Sequence, residues 1–273
     1  MNKKYTIIDN RPLEEFKTKT FSGFKKIEVF KVLFDCIDKN KIENALNWTT
    51  ECIVSGYLIE LVDKLIAFSS KTVHINHPVL PKFLLKKYNH FYRIIELDLK
   101  KSAERSHIIH YRNNQCIRNL FFNLVITITQ SPKSKRYDKY PKIDPITDFQ
   151  FDVIQKNLVA TANFVPTDMI KFSDPEELKI VINEIIFQFQ NQSNGYEKIS
   201  YWISWILQWE KINKKKKIKC EIEQRNISDV KPKYCSDVLW LVWHSILNEA
   251  QTRDNNIKEQ INSLYLLYKT HFT

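Results

Sequence analysis

The sequence predicts an all-α protein, a multi-helix bundle or solenoid-like array of helical hairpins with about nine to ten helices. Three observations carry that prediction. Apolar residues recur at three- and four-residue steps along almost the whole chain, the period of one helix face. Only 3 glycines stand against 9 prolines in 273 residues, too few for the tight turns that join the strands of a sheet. The hydrophobic share is 43%, with 13% aromatic and 27% charged residues. That is enough apolar surface for a core, and it excludes wholesale disorder.

After a short N-terminal stretch, Ile27, Phe30, Val32, Leu33, Phe34 and Ile37 form the first stripe. Asn40 opens a second segment, striped by Ile42, Ala45, Leu46, Trp48, Cys52 and Ile53. Gly56 closes it, because glycine takes the left-handed conformation of a helix end at little cost. Leu58, Leu61, Val62, Leu65, Ile66 and Phe68 mark the third helix. Pro78 and Pro81 begin a fourth, which carries Leu84, Leu85, Tyr88, Phe91, Tyr92 and Ile95. Breaks this brief make consecutive helices antiparallel neighbours.

A fifth helix covers Cys116 to Thr129. Its tail, Val125 to Thr129, also reads as a strand, but Leu120, Phe121, Leu124, Val125 and Ile128 hold the helical spacing. Residues 131–147 contain Pro132, Pro141 and Pro145 among lysines and have no period; they form a loop and the internal boundary. The chain thus divides into an N-terminal helical subdomain (1–130), a basic loop (131–147) and an aromatic-rich C-terminal helical subdomain (148–273). Asp174-Pro175-Glu176-Glu177 is a helix start, with Asp174 as cap, Pro175 in the first turn and Glu177 at the capping-box position. That helix runs to an Asn194-Gly195 turn. Two aromatic helices near 196–213 and 235–250 and a last one at about 254–271 complete the chain. No fixed-period repeat is visible.

Composition removes several function classes. No apolar run approaches the roughly 18 to 20 residues of a membrane span, so no membrane association is expected. The N-terminal MNKKYTIIDN lacks the apolar core of a signal peptide. Five cysteines, Cys36, Cys52, Cys116, Cys220 and Cys235, are odd in number and form no C-x-x-C pair, which predicts a reducing, intracellular setting without a zinc ribbon. Phosphate loops, G-x-S-x-G and H-E-x-x-H are absent. The pairs His74/His77 and His107/His110 have the three-residue spacing of a helix face, but no third ligand completes them. Glu51 and Glu184 sit singly inside apolar helices and read as hydrogen-bonded structural carboxylates. No catalytic residue, metal or cofactor is expected, so the chain reads as a non-enzyme.

Charge is the remaining lead. Lys and Arg number 42 against 31 Asp and Glu, a formal net charge of +11. Such an excess favours acidic partners, nucleic acid first, although a lysine-, asparagine- and isoleucine-rich composition also follows from an AT-rich genome. Two segments concentrate it. Lys211, Lys214, Lys215, Lys216, Lys217 and Lys219 follow the tryptophan helix, where cations complement the negative helix end and can also meet phosphates without base selectivity. The loop Ser131 to Lys139 adds Lys133, Lys135 and Arg136 in an expected exposed segment. Tyr201, Trp202, Trp205, Trp209, Trp240 and Trp243 could stack bases, yet their apolar neighbours predict two helices that bury the rings against each other.

Two resemblances add context. Ala45-Leu46-Asn47-Trp48, Glu51 to Gly56, Ser70 to Ile75 and Pro78-Val79-Leu80-Pro81 resemble a helical protein family of large nucleocytoplasmic DNA viruses of algae and protists. The likeness continues through Asp174 to Leu178, Tyr201-Trp202-Ile203, the lysine run and Asp237 to Trp240. It implies a viral protein of the host-cell cytoplasm or viral factory, and a chain that ends earlier, at Thr273, than its relatives. Residues 41–137 are also similar to the C-terminal helical domain of MgsA/RarA-type AAA+ ATPases, relatives of clamp loaders. Ala45-Leu46, Gly56, Leu65, Ser70, Ile75, Asn76-His77-Pro78 and Ser131-Pro132-Lys133-Ser134 carry that likeness in matching order. The intervening segment is longer here and the ATPase domain is missing. The resemblance implies a collar's role: oligomerisation and DNA-proximal scaffolding without ATP hydrolysis. The expectation is a non-enzymatic helical scaffold with a protein partner or a second copy of itself, and a sequence-independent nucleic-acid binder is the alternative.

Overall fold

A computed structural model describes residues 6–73, 76–99, 105–134, 141–190 and 195–270. Among these the chain forms ten α-helices and no strand; a single isolated bridge pairs Lys19 with Lys25. The protein is all-α. No described helix is long and apolar enough to cross a membrane. Backbone contacts divide the chain into two compact units, Met1–Lys135 and Arg136–Thr273.

The first unit contains α1 (Lys26–Asp38), α2 (Ile42–Val54), α3 (Leu58–Thr72), α4 (Leu80–Leu99) and α5 (Gln115–Gln130). Helix α1 buries Val29, Phe30, Leu33, Cys36 and Ile37. Ile27 and Val32, expected on its apolar stripe, instead face solvent, because the packed face is centred one residue away from them. Asn40 does not open α2 but closes α1. Its φ of 57° is left-handed, and Lys41 N donates back to Cys36 O at 2.9 Å, the Schellman arrangement that asparagine tolerates. Gly56 closes α2 in the same way at φ 78°, with Tyr57 N donating to Cys52 O at 3.0 Å. A Cβ on Gly56 would stand 2.9 Å from Leu13 Cδ1, so space as well as conformation demands glycine here.

Helix α5 is the hub of this unit and packs against α1, α2, α3 and α4. It buries Ile117, Leu120, Phe121, Leu124, Val125, Ile128 and Thr129. Its β-branched tail stays helical because neighbours on several sides bury it, which outweighs a weak propensity for strand. Asn114 caps its start, accepting from Cys116 N at 2.9 Å and Ile117 N at 3.2 Å. The chain before α1 is tied down by polar anchors. Asp9 receives the Arg11 guanidinium at 2.9–3.1 Å and lies 3.2 Å from buried Arg112. The Tyr57 hydroxyl shares its proton between the carbonyls of Phe16 (2.5 Å) and Lys19 (2.8 Å).

The second unit contains α6 (Phe151–Asn157), α7 (Glu176–Gln190), α8 (Gly195–Lys216), α9 (Leu239–Gln251) and α10 (Asn255–Lys269). The seven-residue α6 escapes sequence reading because two turns show no usable period. Helix α7 packs against α8 and α9, and α10 against α9. Gly195 opens α8 rather than merely ending a turn: a Cβ there would lie 2.6 Å from Gln188 O, so α8 begins against the end of α7. Its expected turn partner Asn194 lies outside the described residues.

Candidate nucleic-acid interface

Helix α8 has two ends with different jobs. Its first four turns carry Trp202, Trp205 and Trp209 into a core shared with Leu178, Ile182 and Ile185 of α7 and with Trp240 of α9. Trp202, Trp205 and Trp240 are at most 2% exposed. These rings therefore present no stacking platform; they are core, as their apolar neighbours predict. The indole N–H groups of two of them are also satisfied. Trp205 Nε1 donates to Asp148 O at 3.0 Å, Trp240 Nε1 to Tyr234 O at 2.8 Å, and Phe149 stacks on Trp205 with centroids 4.7 Å apart.

The last turn of α8 leaves that core and consists of Lys214, Lys215 and Lys216. Lys217 then turns left-handed at φ 57°, with Ile218 N donating to Asn213 O at 2.9 Å. A lysine thus occupies the helix-closing position where glycine is preferred, at a cost of roughly 1 kcal/mol. Beyond it the chain returns, because Cys220 and Ile222 plug into the aromatic core. Lys211, Lys214, Lys215, Lys216, Lys217 and Lys219 are all exposed. Lys214 is bound to Glu210 at 2.6 Å, which holds its ammonium pKa above the ordinary value. Among the described residues, Lys215, Lys216, Lys217 and Lys219 make no ion pair, so their charge faces water at the negative end of the helix dipole.

The second basic segment behaves differently. Ser131 is buried and ends α5, its hydroxyl donating to Thr127 O at 2.8 Å. His77 Nδ1 lies 2.8 Å from the same Ser131 oxygen; since the serine proton is committed, the imidazole supplies the one between them. Ser134 N donates to Thr72 O at 2.8 Å. The sequence predicts that this segment is exposed from its start, and the structure corrects that. Lys133 folds back, half-buried, with its ammonium on Thr129 O (2.5 Å), Ser131 O (3.2 Å) and Asn40 Oδ1 (3.1 Å). Burial pushes its pKa down. Lys133 caps α5, its three donors directed at these three oxygens. Lys135 and Arg136 lie outside the described residues, as does His74.

Buried charge elsewhere is structural. Glu184 is fully buried; its carboxylate accepts from Val159 N (2.9 Å), Ala160 N (2.8 Å) and Gln188 Nε2 (2.5 Å). Asp174, expected to cap α7, is diverted. Its oxygens take Lys171 N (2.8 Å), Glu223 N (2.9 Å) and the buried Arg225 guanidinium (2.5 Å). The chain needs that carboxylate more to hold two loops than to cap one helix. Sequence reading finds Asp174 but not its partner. The one usable signal is an arginine, Arg225, in a stretch otherwise supplied with lysine, since arginine is the residue suited to buried forked pairing.

All five cysteines are free; Cys116 alone is exposed, and burial pushes the Cys36, Cys52 and Cys220 thiols up. Among the described residues no three metal-ligating side chains stand together. No family profile, curated protein or solved structure matches this chain.

Proposed function

We propose that the protein is a non-enzymatic helical scaffold that assembles with itself or a protein partner in the genome-handling apparatus of a large DNA virus. One observation carries this reading. Each unit closes its own core and still leaves bulky apolar side chains in water: Ile27 is 83% exposed, Phe151 80% and Phe172 99%. Single exposed apolar residues are ordinary, but these stand at the starts of α1 and α6 and in the turn before α7, where association would cover them. The collar resemblance adds support. Asn76-His77-Pro78 and Ser131-Pro132-Lys133-Ser134, on which it rests, meet through the His77–Ser131 contact. Sedimentation of the full chain tests the reading: mass should rise with protein concentration. A monomer at every concentration, with no protein co-purifying from infected cells, would sink it.

A second reading is favoured by the unpaired Lys215, Lys216, Lys217 and Lys219. They are point charges without planar bidentate readers, suited to phosphate backbones of any sequence. Replacing Lys214 to Lys217 with glutamine should weaken retention on all DNAs alike. The salt slope should fall by up to roughly 0.9 for each duplex phosphate that is no longer neutralised. Unchanged retention would leave the run as a solubility feature.

A further inference from the structure

We infer that the scaffold assembles head to tail. A lysine-rimmed cleft on the first unit of one copy receives an acidic, apolar turn from the second unit of another copy. The inference rests on the scaffold reading and names its interface.

The cleft is an open hollow of about 530 Å³, formed where the Lys17 to Lys19 segment runs beside the start of α1. The bridge between Lys19 and Lys25 and the bond from Lys26 N to Thr18 O (2.9 Å) fix its walls. Its lining combines Lys17, Lys19, Lys25 and Lys26 with the outward-facing Ile27. Lysine stems offer hydrocarbon to a partner while their heads stay in water. Lys25 is matched by Glu28 at 3.4 Å and Lys26 by Glu60. Lys17 and Lys19 are exposed and make no ion pair among the described residues, so the rim carries excess positive charge over a patch of apolar surface.

The complementary feature is the segment Asp144 to Asp152. It presents Ile146, 74% exposed, and Phe151 beside the carboxylates of Asp144 and Asp152. Lys142 and Lys156 flank it on either side. The turn is rigid for identifiable reasons. Asp144 Oδ1 accepts from Ile146 N (2.7 Å) and Thr147 N (3.0 Å), and Asp148 Oδ2 accepts from Asp144 N (2.6 Å). Tyr201 donates to Asp148 Oδ1 at 3.1 Å, and Trp205 Nε1 to Asp148 O. These hydrogen bonds and the Phe149–Trp205 stack hold the turn with two large side chains aimed at water. Preorganised apolar anchors are what an interface hot spot uses, and the Asp144 and Asp152 carboxylates beside them are opposite in sign to Lys17 and Lys19 of the cleft.

Because the two patches differ, the contact is heterologous. Repetition closes it into a ring or extends it as a filament, either of which a scaffold can use. That asymmetry supplies a decisive experiment. Lys17→Glu/Lys19→Glu damages only the cleft, and Ile146→Ala/Phe151→Ala only the turn. All four side chains are exposed, so circular dichroism should match the parent; Lys17→Gln/Lys19→Gln and Phe151→Ser serve if it does not. Each variant alone should self-associate at least about tenfold more weakly in sedimentation velocity. A 1:1 mixture should form a dimer that stops there, since one intact cleft then meets one intact turn. Self-association retained by either variant, or a mixture that stays monomeric while the parent assembles, would overturn the interface and leave the scaffold reading standing. A parent monomeric at every concentration and salt would overturn the head-to-tail interface, and the scaffold reading would then fall too if no protein co-purified from infected cells.

Discussion

The two units reach a helical fold by different means. In the first, α1 to α4 follow one another with short breaks, and the packing of α5 against α1 to α4 does most of the organising. In the second, long irregular stretches lie between helices, notably 158–175 and 217–238, and buried polar side chains pin them. Glu184 holds Val159 and Ala160, Asn183 holds Phe164 N at 2.7 Å and Ala162 O at 3.0 Å, and the Asp174–Arg225 pair joins two loops. An irregular backbone has no ladder of its own, so each buried N–H must find a specific side chain. Apolar periodicity organises the helices of both units; polar anchors hold the short segment before α1 in the first, and in the second Glu184, Asn183 and the Asp174–Arg225 pair hold much longer stretches between helices.

Four measurements sharpen that contrast. The largest effect belongs to Trp205→Ala, which removes a buried ring and leaves Asp148 O without its donor. Urea unfolding should show a loss of about 3–5 kcal/mol in the second unit, and an unchanged midpoint would return the ring to the surface. Glu184→Gln keeps the shape but removes the charge held by Val159 N and Ala160 N and sets an NH2 group against Gln188 Nε2. A loss of roughly 1–3 kcal/mol is expected, confined to the second unit. If the first unit weakens equally, the contrast between them fails.

Acid should act on the first unit through Asp9. The Arg11 guanidinium holds its carboxyl down at about 2, against an ordinary value of 3.8. A carboxyl lowered on folding contributes stability that is fully present above the unfolded value and is lost as pH falls through the folded one. The first unit should therefore lose stability between about pH 4 and pH 2, and Asp9→Asn should abolish that part of the dependence. An unaltered acid profile in Asp9→Asn would remove the Arg11 pair from the account. The smallest effect is a gain. Lys217→Gly relieves the left-handed lysine and should raise stability by up to about 1 kcal/mol. A loss instead would mean that the Lys217 side chain makes a stabilising contact that outweighs its backbone strain.

The helices are readable because burial on one face imposes a period that survives without any knowledge of neighbours. The fate of the lysines is not. Lys133 and Lys215 look alike along the chain, yet one ends on three oxygen atoms at the end of α5 and the other stands in water. Only the arrival of Asn40 and the free carbonyls of Thr129 and Ser131 separates them.

Local spacing by itself determined the all-α class, the buried tryptophans and the Gly56 stop, since each depends on residues within a few turns. Where Ile27, Asp174 and Lys133 point was decided by the packing of distant segments. Ile27 faces water because the buried stripe of α1 is set by what packs on it. Asp174 gave up its cap because Arg225, fifty-one residues later, offered a buried charge that had to be matched. Pairings of that kind have no period to read, because the partner is chosen by proximity in the folded chain and not by distance along it.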